Sequence, residues 1–148
     1  MNIETIIRDH ISSVMVMQLA TAAGSQPWLC NVHFAYDDDL NLYWLSEAST
    51  RHSREIAENP HVAAAMAVHT TMPLIGVQIE GDAVRLENLQ EHEAVLHIYA
   101  KRHNREAWVE KLLSDNDSPF GLYKLAPRLI ATFDLKNFPD APKQEWRL

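Results

Sequence analysis

The segment WLCNVHFAY at 28–36 alternates without interruption: Trp28, Cys30, Val32, Phe34 and Tyr36 share one side of an extended chain, and Leu29, Asn31 and His33 share the other. Before it, VMVMQLAT at 14–21 is β-branched and sulfur-rich, a good buried strand, and Ala-Ala-Gly-Ser at 22–25 supplies a turn. Pro27 opens the second strand, a position where proline is tolerated. After it, three aspartates at 37–39 form a polar hairpin turn and LNLYWLS at 40–46 returns as a third strand. Three antiparallel strands joined by turns this short make a meander, the start of a barrel or a sandwich.

The rest of the chain extends that pattern. Residues 2–12 place Ile3, Ile6 and Ile7 at helical spacing. A short helix begins where the third strand ends, with Ser49 or Thr50 as its N-cap and Asn59-Pro60 as its stop. VAAAMAV at 62–68 reads as a strand buried on both faces, one against the core and the other against a partner subunit. In GVQIEGDAVRL at 76–86 the apolar residues change phase, odd at Val77 and Ile79 and even at Val84 and Leu86, so a bulge or bend is expected at Gly81. Residues 89–113 are helical in pattern, with Val95, Ile98, Tyr99 and Arg102 on one side and Trp108, Leu112 and Leu113 following. A loop covers 114–119, RLIATFDL at 128–135 is the last clear strand, and the tail reads as irregular. The sum is about six strands with helical insertions. The βαβ alternation of a parallel sheet is missing, so the expected architecture is mainly β, a small closed or split antiparallel barrel, in a single domain over 1–148.

Composition limits the function classes. The chain has 148 residues, 47% hydrophobic and 22% charged, enough apolar material for one core. A net charge of −7 disfavours a nucleic-acid binder, which needs a basic face to neutralise phosphates. The one cysteine, Cys30, excludes an internal disulfide framework and fits a reducing compartment. MNIETIIRDHIS lacks the apolar core of a signal peptide, and VAAAMAV is too short to span a bilayer. A soluble cytoplasmic protein that binds neither membrane nor nucleic acid is expected.

The residues Ser46, Ser49, Thr50, Arg51, His52 and Ser53 stand where the third strand hands over to the helix. A helix start leaves N–H groups unpaired and carries partial positive charge. Hydroxyls and a forked guanidinium added to it match a phosphate. The alternative is a plain helix cap with Arg51 and His52 in solvent. The eight histidines form no metal-ligand motif, and with four glycines the chain has no P-loop, dinucleotide turn or nucleophile elbow. Trp28, Trp44 and Trp108 suit core packing, whereas Trp146 lies in a polar tail and needs a partner or ligand to cover it.

Taken together, PWLCNVHFAYDDDLNLYWLSEASTRHSREIAENPHVAAAM, the V-Q-I-E-G strand at 77–81 and the FGLYKL and FDLKNFPDAPKQEW segments resemble the FMN-binding split-barrel proteins related to pyridoxamine 5′-phosphate oxidase, in a branch of small bacterial members. The resemblance implies a six-stranded antiparallel split β-barrel that binds FMN as a homodimer, with sites at the subunit interface. It places Arg51 and His52 at the FMN phosphate, with Thr50 and Ser53 adding hydroxyls. Leu45 and Ser46 would lie along the flavin, Asn31 and Val32 would face its ring, Gln78 would come from the partner subunit, and Trp146 would close the site. The implied activity is that of an oxidoreductase exchanging hydride with a small-molecule substrate or a reduced nicotinamide.

Two departures bear on this reading. His52 stands where the oxidase has lysine, and the second strand offers only His33 as a further cation. The tail supplies only Arg147 where the oxidase holds its phosphorylated vitamin substrate with arginine and histidine, so oxidation of vitamin B6 is not expected. No catalytic acid or base stands out. The alternative is a non-catalytic binding module of the same fold that has lost or exchanged the flavin; a haem-binding form would draw an axial ligand from His33, His52 or the methionines of the first strand.

Overall fold

The computed structural model describes residues 2–148. Helix α1 (Ile3–Ser12) opens the chain, capped by the Asn2 side chain, which accepts from the Glu4 N–H at 2.9 Å. Strands β1 (Val16–Ala23) and β2 (Gln26–His33) form a hairpin closed by a two-residue turn, in which Gly24 takes a φ of 79° that a side chain would resist. After β3 (Ala35–Tyr36) the Asp37 carboxylate organises the next turn, accepting from the N–H groups of Asp39 and Asn41, the Asn41 amide and the Tyr43 hydroxyl. Strand β4 (Leu42–Glu47) leads into α2 (Arg51–Glu58), and β5 (His61–His69) and β6 (Ile75–Leu86) follow. A 3₁₀ turn at 89–92 precedes α3 (Glu93–His103) and α4 (Glu106–Ser114), and then β7 (Phe120–Asp134) and β8 (Lys143–Arg147) complete the chain.

Every strand pair is antiparallel, in the order β2-β1-β5-β6-β7-β4-β3. The fifteen-residue β7 pairs with β6 along one edge and divides its other edge between β4, at Phe120–Leu125, and β8, at Leu129–Phe133. The sheet curls around Met17, Leu19, Trp44, Val77, Leu125 and Ile130, and α1 closes one end of this core with Ile7 and Ile11. A second cluster, Leu96, Tyr99 and Val109 against Tyr43 and Leu122, packs α3 and α4 outside β4 and β7. This is the expected mainly-β split barrel, with eight strands where six were expected because the short β3 and the tail strand β8 also join the sheet, and its split lies between β2 and the β4–β3 edge.

Five local expectations need correction. The strand expected over 28–36 breaks at Phe34, whose carbonyl accepts from Arg102 Nε at 3.1 Å and contacts His103 Nε2 at 2.8 Å; the chain there leaves β1 and goes on to pair with β4. Strand β6 does not change phase: odd positions stay inward from Ile75 to Ala83, and Val84 is 53% exposed. The bulge does fall at Gly81 as expected, but its extra residue sits on β7, where Glu80 pairs Leu129 and Gly81 pairs Pro127, leaving Arg128 over. A Cβ on Gly81 would overlap the Ala126 carbonyl oxygen, so glycine is needed there for close approach. The last long strand begins at Phe120 and runs through Pro127, tolerated because it lies at the bulge, and the tail is a strand because β7 has a free edge to pair it. On α3 the buried positions are Leu96, Tyr99 and Ala100, Ile98 is exposed, and Arg102 turns back to the carbonyls of Ile11, Ser12, Val14 and Phe34.

Strand β5 buries Val62, Ala64 and Met66 inward and turns Ala63, Ala65 and Ala67 outward. Within one chain, therefore, a single face of VAAAMAV is covered. The other face lines a shallow groove of about 380 Å³ with Ala20, Leu29, Leu129 and Ala131. No helix among the described residues is long and apolar enough to cross a membrane.

Candidate functional site

Strand β4 ends and α2 begins within five residues, which sets Ser46 beside the first turn of the helix. Thr50 is the N-cap: its Oγ1 donates to the Glu47 carbonyl at 2.9 Å, accepts from the Ser53 N–H at 3.4 Å and lies 2.7 Å from Ser53 Oγ. His52 folds back so that Nε2 lies 2.9 Å from Ser46 Oγ and 3.3 Å from Thr50 Oγ1. Three hydroxyls and an imidazole therefore converge on one helix start, with Ser46 and Ser53 buried. Burial pushes the pKa of His52 below its ordinary value, which leaves the ring neutral at physiological pH.

Arg51 points to the other flank of the turn. Its Nε donates to Glu55 Oε2 at 3.0 Å, and its guanidinium carbon lies 4.2 Å from the centre of the Trp28 ring. The terminal amino groups of Arg51 have no hydrogen-bond or ion-pair partner among the described residues. Glu55 in turn accepts from the Thr21 hydroxyl at 2.8 Å; the Arg51 hydrogen bond, then that of Thr21, hold its carboxyl below the usual carboxylate range. Sequence reasoning named neither Glu55 nor this role for Trp28. The spacing of Arg51 and Glu55, one helical turn apart, was an available signal for the first; nothing local places Trp28 over Arg51.

Beside this turn lie the two strand edges that border the split. Strand β2 pairs with β1 alone, and β4 meets β3 only at Leu42 and Tyr43, so the backbone around Asn31, Val32, Leu45 and Ser46 has edges left outside the ladders. Asn31 is exposed and its Oδ1 accepts from Gln18 Nε2 at 3.0 Å. Val32 turns its side chain into the core at 8% exposure, so only its backbone is offered to a ligand. Leu45 leans toward the α3–α4 cluster. The described chain does not bring Gln78 or Trp146 to the α2 turn. Gln78 faces outward from β6 into the groove of alanines, and Trp146, on β8 opposite Ile130, packs against the core with Arg8 5.9 Å from its ring. Among the described residues no three histidine, cysteine or acidic side chains converge as a metal site.

The sequence model of the family described as pyridoxamine 5′-phosphate oxidase matches residues 3–134, from α1 to the end of β7. The chain belongs to this family. Among curated relatives, a UPF0306 protein of Photorhabdus laumondii is 31% identical over 85 residues, 55% of this chain and 59% of that protein. A UPF0306 protein of Yersinia pseudotuberculosis is 31% identical over 100 residues, 66% and 67% of the two chains. Among solved structures, a conserved hypothetical protein of Mycobacterium tuberculosis, Rv2991, superposes with a TM-score of 0.80 at 19% identity, covering 94% of this chain and 89% of that one. The haem storage protein HutZ of Vibrio cholerae follows at 0.69 and 22%, covering 86% and 91%. An FAD-binding protein of Mesorhizobium loti gives 0.66 and 18%, covering 87% and 90%. At these identities the three structures establish the split-barrel fold of the family and nothing finer.

Proposed function

We propose that the protein is a flavin-binding oxidoreductase of the split-barrel family, holding FMN at the start of α2 and acting as a homodimer on a small molecule or a reduced nicotinamide. The observation that carries this reading is the convergence of Ser46, Thr50, His52 and Ser53 on one helix start, with the free amino groups of Arg51 on its flank. The donor set fits a phosphate: hydroxyls, unpaired helix N–H groups and a guanidinium fork serve oxyanions by hydrogen bonds. The unpaired edges of β2 and β4, at Asn31–Val32 and Leu45–Ser46, are placed to meet the polar rim of a planar ring. When bound, a flavin supplies hydride and electron exchange, which the side chains here do not. The chain's own part is to bind the phosphate end, orient the ring and shield it.

A second copy supports the same reading. A sheet face of alanines and leucines flanked by Gln18, Gln78 and Glu145 suits a partner's matching face. A partner seated there would cover the outward side of β5 and Gln78 beside it on β6, which agrees with the family resemblance that assigns Gln78 to the other chain's site. A specific observation also favours a second reading, a binding module carrying another ligand: Arg51 is paired with a carboxylate and His52 is neutral, which leaves the exposed Arg54 as the one uncompensated cation of the α2 turn among the described residues, less positive charge than is usual for a phosphate. Haem is the ligand to compare, given the haem storage protein among the structural neighbours.

The visible spectrum of the purified protein, followed by FMN and haem titrations and by light scattering for mass, tests both. Flavin absorption, or saturation at one FMN per subunit in a dimer, is the expected result. A dimer that ignores FMN but develops a Soret band with haem transfers the reading to the binding module. A monomer overturns the shared site.

A further inference from the structure

Glu55 lies one turn beyond Arg51 on α2, and only 8% of the residue is exposed. Both of its oxygens are engaged, Oε2 by Arg51 Nε at 3.0 Å and Oε1 by the Thr21 hydroxyl at 2.8 Å. Those two donors keep it ionised throughout the physiological range. On its opposite side the guanidinium of Arg51 rests against Trp28. Arg51 is thereby held by an aromatic face and a carboxylate, with its terminal amino groups left without a hydrogen-bond partner among the described residues. His52 contributes no charge near neutrality. Arg51 and Glu55 cancel in formal charge, and Arg54, exposed on the same helical turn and near enough to act on Glu55, is the remaining cation beside a site built from oxyanion donors.

We propose that Glu55 sets the charge selectivity of this site: it orients Arg51 as a hydrogen-bonding fork while cancelling its charge, so the site accepts neutral or singly charged hydroxyl-rich ligand ends nearly as well as a phosphate dianion. The inference rests on the reading of the α2 turn as a ligand site and deepens it by naming the ligand class. A carboxylate paired to the residue that would meet a bound dianion opposes that dianion by Coulomb repulsion, and it does so most where solvent is excluded. The arrangement costs the pocket dianion affinity and, in exchange, holds the fork rigid in the absence of ligand.

Glu55→Gln removes the charge and keeps an amide oxygen to accept from Arg51 Nε and an amide N–H to donate to the Thr21 hydroxyl. The test titrates FMN and riboflavin, which differ by the phosphate, into both proteins near pH 7.5, and measures the thermal shift of both in inorganic phosphate. In the wild type the two flavins are expected to bind within about tenfold of each other, with little change in FMN affinity between about 50 and about 500 mM salt. In Glu55→Gln, FMN binding should tighten about tenfold or more while riboflavin stays unchanged, and phosphate should raise the melting temperature of the variant alone. Equal FMN affinity in both proteins overturns the assignment of Glu55 and leaves the flavin reading standing. If neither flavin binds either protein but phosphate still stabilises only the variant, the flavin reading fails and Glu55 keeps its role. Should the variant not fold, the wild type decides alone: a steep fall of FMN affinity with salt, or a preference for FMN far above tenfold, refutes a charge-cancelled site.

Discussion

Arg51→Ala separates the ligand-binding role of this residue from its structural role. In the folded chain Arg51 makes one hydrogen bond to Glu55 and one cation–π contact with Trp28, and its side chain is 40% exposed. The aromatic contact at such a site contributes about 0.5–1 kcal/mol. At about 2–4 °C per kcal/mol for a chain of this size, the loss in melting temperature should be only a few degrees. The effect on ligand is larger. Two free amino groups donating to a phosphate are charge-assisted hydrogen bonds of about 1.5 kcal/mol each at the low end of their range. FMN affinity should therefore fall by roughly 100-fold, since about 1.4 kcal/mol is one factor of ten. Glu55 is also left without its cation and still facing the bound group, so the variant should bind FMN more weakly than riboflavin, reversing whatever preference the wild type has. Riboflavin affinity should stay within about twofold, because the lost donors address the phosphate. Flavin fluorescence quenching gives both affinities and differential scanning fluorimetry gives the stability. A folded Arg51→Ala protein that binds FMN as tightly as the wild type would refute the phosphate assignment and the charge argument built on it.

Three further outcomes follow from the same geometry. His52→Lys places a permanent charge where burial keeps the imidazole neutral, and should tighten FMN binding near pH 7.5 by about tenfold without altering riboflavin binding, read by the same titration. Asp134 is fully buried and accepts from the backbone of Lys136 and Asn137 and from the Asn137 amide, with His10 Nε2 at 2.8 Å. Burial pushes its carboxyl pKa up, but those hydrogen bonds outweigh it and the pKa lies below the usual value. Its contribution is therefore complete above the unfolded value of about 3.9 and is lost as the pH falls through the lower folded value, so Asp134→Ala should cost about 3–5 kcal/mol at pH 7 by urea denaturation, and progressively less in acid. Gly81→Val drives a side chain into the Ala126 carbonyl and Leu125, and should lower the urea midpoint by about 1–3 kcal/mol of stability; an unchanged midpoint would mean the β6–β7 approach is looser than described.

Much of the fold was legible because strand alternation, turn chemistry and helix caps are local. The β1–β2 hairpin follows from the Ala-Ala-Gly-Ser turn, and α2 runs between the Thr50 cap and the Asn59-Pro60 stop. What failed did so where a distant element overrides a local pattern. Strand β2 breaks at Phe34 because Arg102 and His103, nearly seventy residues later in the chain, take its carbonyl. The polar tail becomes β8 because β7 offers an open edge, which a hydrophobicity pattern does not register. Val84 is exposed because the bulge residue lies on the neighbouring strand rather than at Gly81 itself.

The site divides along the same line. Ser46, Thr50, Arg51, His52 and Ser53 were legible as a group because they lie within eight residues of one another, and a helix cap draws them together without help from the rest of the chain. Asn31, Val32 and Leu45 were named on family resemblance; the structure adds that Val32 spends its side chain on the core, a consequence of which way the pleat of β2 faces. Glu55 escaped notice, and Trp28, expected in the core, is instead 40% exposed beside Arg51, because both roles are contacts between α2 and strands roughly twenty to thirty-five residues upstream. The sequence by itself determined the order and type of the elements and gathered the oxyanion donors, since both depend on neighbours along the chain. Only the tertiary structure decided the charge of the site, because burial of His52 and the pairing of Arg51 with Glu55 and Trp28 depend on what the folded sheet brings against the helix.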